Sequence, residues 1–353
     1  MIHKRRLTFW IVTLVVFMFL LWLLSDVLLP FVAGLALAYL QTPLADRLER
    51  LGLNRTVAAL LMVGLVVLSF ILLALLLVPI LAEQGAALIA GVPTYVARLQ
   101  ALLSDSGRPW LHQFLSGGDT GKTMSELVTQ GAGYMTALLR SLWSGGKALA
   151  SFISVLVVMP VVTFYLICDW HEMVATLDGW VPPQYRETVR RLVREIDAAI
   201  SGFLRGQAAV CLIIGTYYAV ALSLMGLNFG LLIGLTAGVL TFMPYVGSMA
   251  GLLIATSVAV GQFWPQWTSI ATVVGIFLVG QFVEGNVLAP KLVGDHVGLH
   301  PVWLIFAMFA FGYLLGFVGL LIAVPLAAAI AVLFRFGLSR YFASPFYQGE
   351  QPG

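Results

Sequence analysis

The sequence predicts an all-α, polytopic membrane protein with about eight hydrophobic segments, two of them long and broken. Three observations carry that prediction. Of 353 residues, 60% are hydrophobic and 10% charged, whereas a soluble domain carries about 25% charged residues. Apolar stretches recur near the length that crosses a bilayer as helix, about 20 residues. Lysine and arginine gather in the pieces between those stretches, as they do on the cytoplasmic side of membrane proteins.

Residues 1–82 hold three N-terminal spans, at 7–24, 27–44 and 57–81. The first is too long for a typical signal-peptide core, and no small-x-small cleavage site follows it before Asp26, so it is expected to be retained. Residues 83–147 form an extracytoplasmic amphipathic helical segment. Leu88, Val92, Val96, Leu99 and Leu103 recur at helical spacing, and Gly117, Gly118 and Gly121 mark a loop. Residues 148–168 are a fourth span. Residues 169–206 are a cytoplasmic basic amphipathic helix, with Val189, Val193, Ile196, Ile200 and Phe203 on one face and arginines elsewhere. Such a helix suits the headgroup layer; an arm for a protein partner is the alternative.

Residues 207–334 are the C-terminal region, with spans at 207–224 and 268–289 and long runs at 229–261 and 301–334. Residues 335–353 are a tail. Alternation of spans one to four places Lys4, Arg5, Arg6, Arg47, Arg50, Arg55, the arginines of 186–205, Arg335 and Arg340 on one side. That side is cytoplasmic, so both termini are expected in the cytoplasm of a bacterial inner-membrane protein.

A net charge of +3 gives no reason to expect nucleic acid. Cys168 and Cys211 are far apart in or beside apolar segments, with no zinc spacing, so no metal and no cofactor are expected. There is no nucleotide-binding glycine loop, and Ser248 does not sit in a nucleophile elbow, so no enzyme is expected.

The long runs carry the functional argument. The first includes TFMPYVGSMAGLLIA at 241–255. A helix through 229–260 would reach roughly 48 Å, against about 30 Å of hydrocarbon. Pro244 lacks an amide proton, and Gly247 allows tight turning and close approach. The second run breaks at FGYLLGFVGLLIA, 311–323, and GLLIA follows both breaks, at 251–255 and 319–323. Each run is either a re-entrant hairpin or one tilted, broken crossing. Hairpin arms of about 14–17 residues would reach roughly 21–26 Å, and the two hairpins would open on opposite faces. A tip of carbonyls, amides and the Ser248 hydroxyl could then hold a polar solute or ion.

From Gly206 to Phe334 the only Asp, Glu, Lys or Arg residues are Glu284, Lys291 and Asp295. A carboxylate in an apolar helix is rare and usually functional. Glu284 lies between Gln281 and Asn286, with Pro290 ahead of Lys291. It could carry a proton or cation, accept hydrogen bonds from a polyhydroxylated solute, or pair with Lys291. His296 and His300 flank Gly298 and are expected as loop histidines near the interface. The expected pathway residues are Pro244, Gly247, Ser248, Gln281, Glu284, Asn286, Pro290 and Gly316.

Five pieces together resemble the autoinducer-2 exporter family of bacterial inner-membrane, permease-like proteins. They are PFVAGLALAYLQTPLADRL (30–48), TFYLICDW (163–170), FLRGQ (203–207), FMPYVGS (242–248) and QFVEGNVLAPKLVGDHVGLHP (281–301). The resemblance implies a multispan transporter and a homo-oligomer such as a pentamer. It implies export of the quorum-sensing signal autoinducer-2, or sodium or lithium exchange against protons, and does not choose between them. The expected partners are the lipid bilayer, a small polar solute or monovalent cation, and further copies of the chain. A non-transporting membrane scaffold working through 83–147 and the basic helix is the alternative of another class.

Overall fold

The computed structural model describes residues 16, 20, 23–104, 146–244, 246–293 and 300–348. The described residues are helical nearly throughout, and none is in a strand. The helices are α1 (Ser25–Arg50), α2 (Arg55–Ser104), α3 (Gly146–Gly179), α4 (Pro183–Leu224), α5 (Gly230–Leu240), α6 (Val246–Phe263) and α7 (Trp267–Val283). A π-helical segment, Glu284–Val293, continues α7, and α8 (Pro301–Phe342) and α9 (Pro345–Gln348) follow. Among the described residues, seven stretches are long and apolar enough to cross a membrane; α5 is apolar but shorter. The expected span at 7–24, most of the outer segment 83–147, Asp295, His296, Gly298 and the last tail residues lie outside the described residues.

Two elements run longer than the sequence suggests. The basic helix and the fifth span are one continuous helix, the 42-residue α4. Neither Gly202 nor Gly206 breaks it. Gly206 instead lies directly against the Leu292 carbonyl, where a side chain would not fit. The third span likewise continues as helix to Ser104.

The chain divides into two compact units. The first takes Met1–Val67, Ser154–Ala208 and Ala289–Gly353. Its core joins α1, α2 and α3 through Ala38, Ala45, Ala59, Met62, Val63 and Ile167. Small residues let the helices approach, as is general where lipid gives no hydrophobic drive between helices. A β-carbon at Gly34 would sit 2.9 Å from Val162. Beside it Thr163 Oγ1 donates within reach of the Gly34 and Met159 carbonyls, at 3.0 and 2.7 Å. Arg55 ties the three helices together. It bonds Asp46 at 2.5 Å and Glu49 at 2.9 Å, and its Nε donates to the Ile167 carbonyl at 2.9 Å. α8 packs against α1.

α8 is not straight. Gly316 has φ 60° and ψ −138°, a backbone conformation open essentially to glycine alone. Beyond it the chain folds back. A β-carbon at Gly312 would sit 2.9 Å from the Leu320 side chain, and Gly319 lies on the Phe311 carbonyl. Residues eight apart in a straight helix are about 12 Å apart, so these contacts make 301–315 and 317–342 two arms of a hairpin.

The second unit takes Leu68–Ile153 and Ala209–Leu288. Here α4, α5, α6 and α7 follow one another as antiparallel neighbours. Gln262 pins the open end of the α5–α6 pair, accepting from the Asn228 amide at 2.7 Å and donating to the Gly226 carbonyl at 2.8 Å. Gln84 accepts from the Leu232 amide at 3.1 Å, which satisfies one orphan donor in the first turn of α5.

Candidate functional site

The candidate site grows from glycine-mediated contacts in the second unit. Gly230, Gly234 and Gly238 recur every fourth residue and line one face of α5. They lie against Leu222, Ala219 and Gly215 of α4. On another side Gly247 meets the end of α5 at Leu240 and Thr241, and Gly251 meets Ala237. The first long run is therefore a hairpin with its tip at 241–244. Its first arm has 11 residues, about 16 Å, and is shorter than the sequence suggests.

The tip differs from expectation in one respect. The Thr241 amide bonds Ala237 at 2.9 Å, that of Phe242 bonds Val239 at 3.1 Å, that of Met243 bonds Leu240 at 3.0 Å and that of Val246 bonds Met243 at 3.2 Å. Tight turns absorb these four donors, so they are not offered to a solute. Pro244 has no amide to offer. Ser248 is buried at 6% exposure in the first turn of α6.

α6 and α7 are antiparallel, and Gly251 touches the Phe277 ring. Moving from that contact toward the tip brings Ser248 level with the end of α7, where Gln281 and Glu284 stand. Gln281 and Glu284 are half-buried. Glu284 opens the π-helical segment, a conformation often found at functional sites. Its Oε2 is buried with no hydrogen-bond partner. Lys291 is exposed, and the Glu284–Lys291 pair is not formed.

A second orphaned group comes from α4. Tyr218 is fully buried, and its hydroxyl has no partner. Its ring stacks on Phe277 at 4.4 Å and presses on Gly280, where a β-carbon would collide with it. Tyr218 and Cys211 both lie within electrostatic reach of Glu284. A buried polar group without a partner costs about 1–3 kcal/mol. Two such groups beside a hairpin tip are a place where a polar solute or ion would recover that cost.

The other expected residues sit differently. Asn286 is exposed, and its Nδ2 donates to the Phe282 carbonyl of its own helix at 3.0 Å. Pro290 is exposed. Gly316 belongs to the first unit, at the turn of the second hairpin. His300 caps α8, its Nδ1 accepting from the Val302 amide at 3.3 Å. Among the described residues no cluster of His, Cys, Asp or Glu could hold a metal ion. Sequence reasoning does not find Tyr218 or the α5 glycines. The four-residue glycine repeat is a usable signal; nothing marks one tyrosine of TYYAV as lacking a partner.

Residues 11–339 match the AI-2E family transporter description. The chain belongs to that family. It is similar to YrrI of Bacillus subtilis (strain 168), named as a candidate transport protein, at 27% identity across 88% of this chain and 87% of YrrI. It is similar to PerM of Escherichia coli (strain K12), named as a candidate permease, at 28% identity across 87% and 86%. With its apolar helices, this makes the chain a multi-pass membrane protein of a transporter family.

Proposed function

We propose that the protein is a secondary transporter that exports a small polar solute such as autoinducer-2 across the bacterial inner membrane, with both termini cytoplasmic. The observation that carries this is the occurrence of two buried, partnerless oxygens, one of Glu284 and one of Tyr218, toward the hairpin-tip end of α7. A neutral polyol needs donors and acceptors without a counter-charge. The Tyr218 and Ser248 hydroxyls and the Gln281 amide supply them, and Glu284 is the titratable group for proton coupling. Broken helices holding solute within the bilayer are a common device of secondary transporters.

The test is flux in proteoliposomes loaded with autoinducer-2. Glu284→Gln keeps the shape and removes the charge. It is expected to abolish the response of flux to a pH gradient; unchanged flux and unchanged pH response would refute the coupling role. The partnerless carboxylate also favours a second reading, a sodium or lithium/proton antiporter. That reading expects a cation-driven pH change in vesicles containing no organic solute.

A further inference from the structure

The geometry points to an anionic phospholipid headgroup site on the first unit, between the N-terminal arm of α4 and the end of α8. It is independent of which solute is transported. A cleft of about 510 Å³ opens there, lined by Arg191, Leu192, Ala199, Val332, Arg335 and Ser339 among others. Its floor is apolar, since Ala199 and Val332 are buried. Its rim carries two guanidinium groups from two different helices.

Those two arginines are less committed than their neighbours. Arg190 bonds both Asp178 oxygens, at 2.7 and 2.6 Å, and Arg340 lies over the Phe336 ring at 5.4 Å. Arg191 reaches Glu195, also in the cleft, only at 3.9 Å, with both side chains exposed. Such a contact contributes little. Arg335 makes no ion pair among the described residues. The Ser339 hydroxyl donates to the Phe336 carbonyl at 2.8 Å, so the donors facing the cleft are the two guanidinium groups. Guanidinium forks match phosphate oxygens in pairs.

The surroundings choose lipid over a free anion. Leu333 and Phe334, just before Arg335, are 50% and 65% exposed. Apolar side chains facing outward immediately before a basic one place Arg335 at the edge of the hydrocarbon. A phosphate held between Arg191 and Arg335 would leave acyl chains beside Leu333 and Phe334. Basic pockets between helices on the cytoplasmic side are a known form of headgroup site.

The experiment measures lipid retained by the full chain in neutral detergent, by native mass spectrometry. Phosphatidylglycerol is compared with phosphatidylcholine, and millimolar inorganic phosphate is added as competitor. Wild type is expected to retain phosphatidylglycerol selectively and to keep it in the presence of phosphate. Arg191→Gln with Arg335→Gln should weaken retention roughly tenfold or more. Arg47→Gln with Arg50→Gln, the same charge change elsewhere, should not. Equal retention of the two lipids by wild type overturns the proposal without any variant. So does full retention by the R191Q/R335Q protein, and so does displacement by phosphate, which would assign the cleft to a free anion.

Discussion

Tyr218 and Glu284 set stability against function at the scale of single side chains. The Tyr218 ring is held by Phe277 and Gly280, while its hydroxyl bonds nothing. Tyr218→Phe removes only that oxygen. A partnerless buried hydroxyl is a liability of order 1 kcal/mol, so the melting temperature should stay level or rise. Transport should fall, about tenfold, if the hydroxyl contacts the solute. Thermal unfolding and vesicle flux on the same preparation check both halves. A lower melting temperature with normal flux would give the hydroxyl a structural role instead. Glu284 is legible in the sequence because a carboxylate is conspicuous among apolar residues. Tyr218 is not, because whether a phenol is partnered depends on α4 packing against α7, and no local pattern encodes that.

At the scale of elements, the glycines of α5 hold the hairpin by backbone proximity. Alanine at Gly234 would put a methyl onto the Ala219 backbone, which cannot yield unless the helices separate. Overpacking of this kind costs about 1–3 kcal/mol. At Gly275 of α7 an added methyl would meet nothing within 4 Å, so Gly275→Ala should be neutral or stabilise by up to about 1 kcal/mol. Opposite signs in thermal unfolding are the expected result; equal shifts would show that helix propensity, not contact, decides. Gly316→Ala is a third case, with open space but φ 60°. It should cost about 1–3 kcal/mol through the backbone alone. Both breaks can be found in the sequence, because proline and glycine act locally and run length is countable. The π-helical segment and the unbroken α4 cannot. The first depends on how Glu284–Val293 meets its neighbours, notably Gly206 against Leu292. The second turns on glycines that serve packing where they could equally have ended a helix.

For the whole molecule the question is which loops face which side. Lengths and charges alone fit two topologies. If each long run is one crossing, Gln266 faces the cytoplasm and His300 the exterior. If each is a hairpin, Gln266 faces out and His300 in. On the proposed orientation Asn228 is outside and Ser339 inside either way. The paired contacts Gly251–Ala237 and Gly312–Leu320 favour two hairpins, and the proposal that Arg47, Arg50, Arg335 and Arg340 face the cytoplasm sets the labelling expected of them. The check is a set of single cysteines introduced after replacing Cys168 and Cys211 with alanine. A membrane-impermeant maleimide applied to intact cells should label Asn228→Cys and Gln266→Cys. His300→Cys and Ser339→Cys should react only after permeabilisation. Labelling of His300→Cys from outside, with Gln266→Cys protected, would mean that both runs cross the bilayer. The α5–α6 tip would then lie within a continuous crossing, and the Glu284 end of α7 would point toward the exterior rather than toward the cytoplasm. Expected labelling instead leaves α5, at about 16 Å, ending inside the hydrocarbon. There a backbone break persists only against protein or a water-filled cavity, which is the setting a polar solute needs.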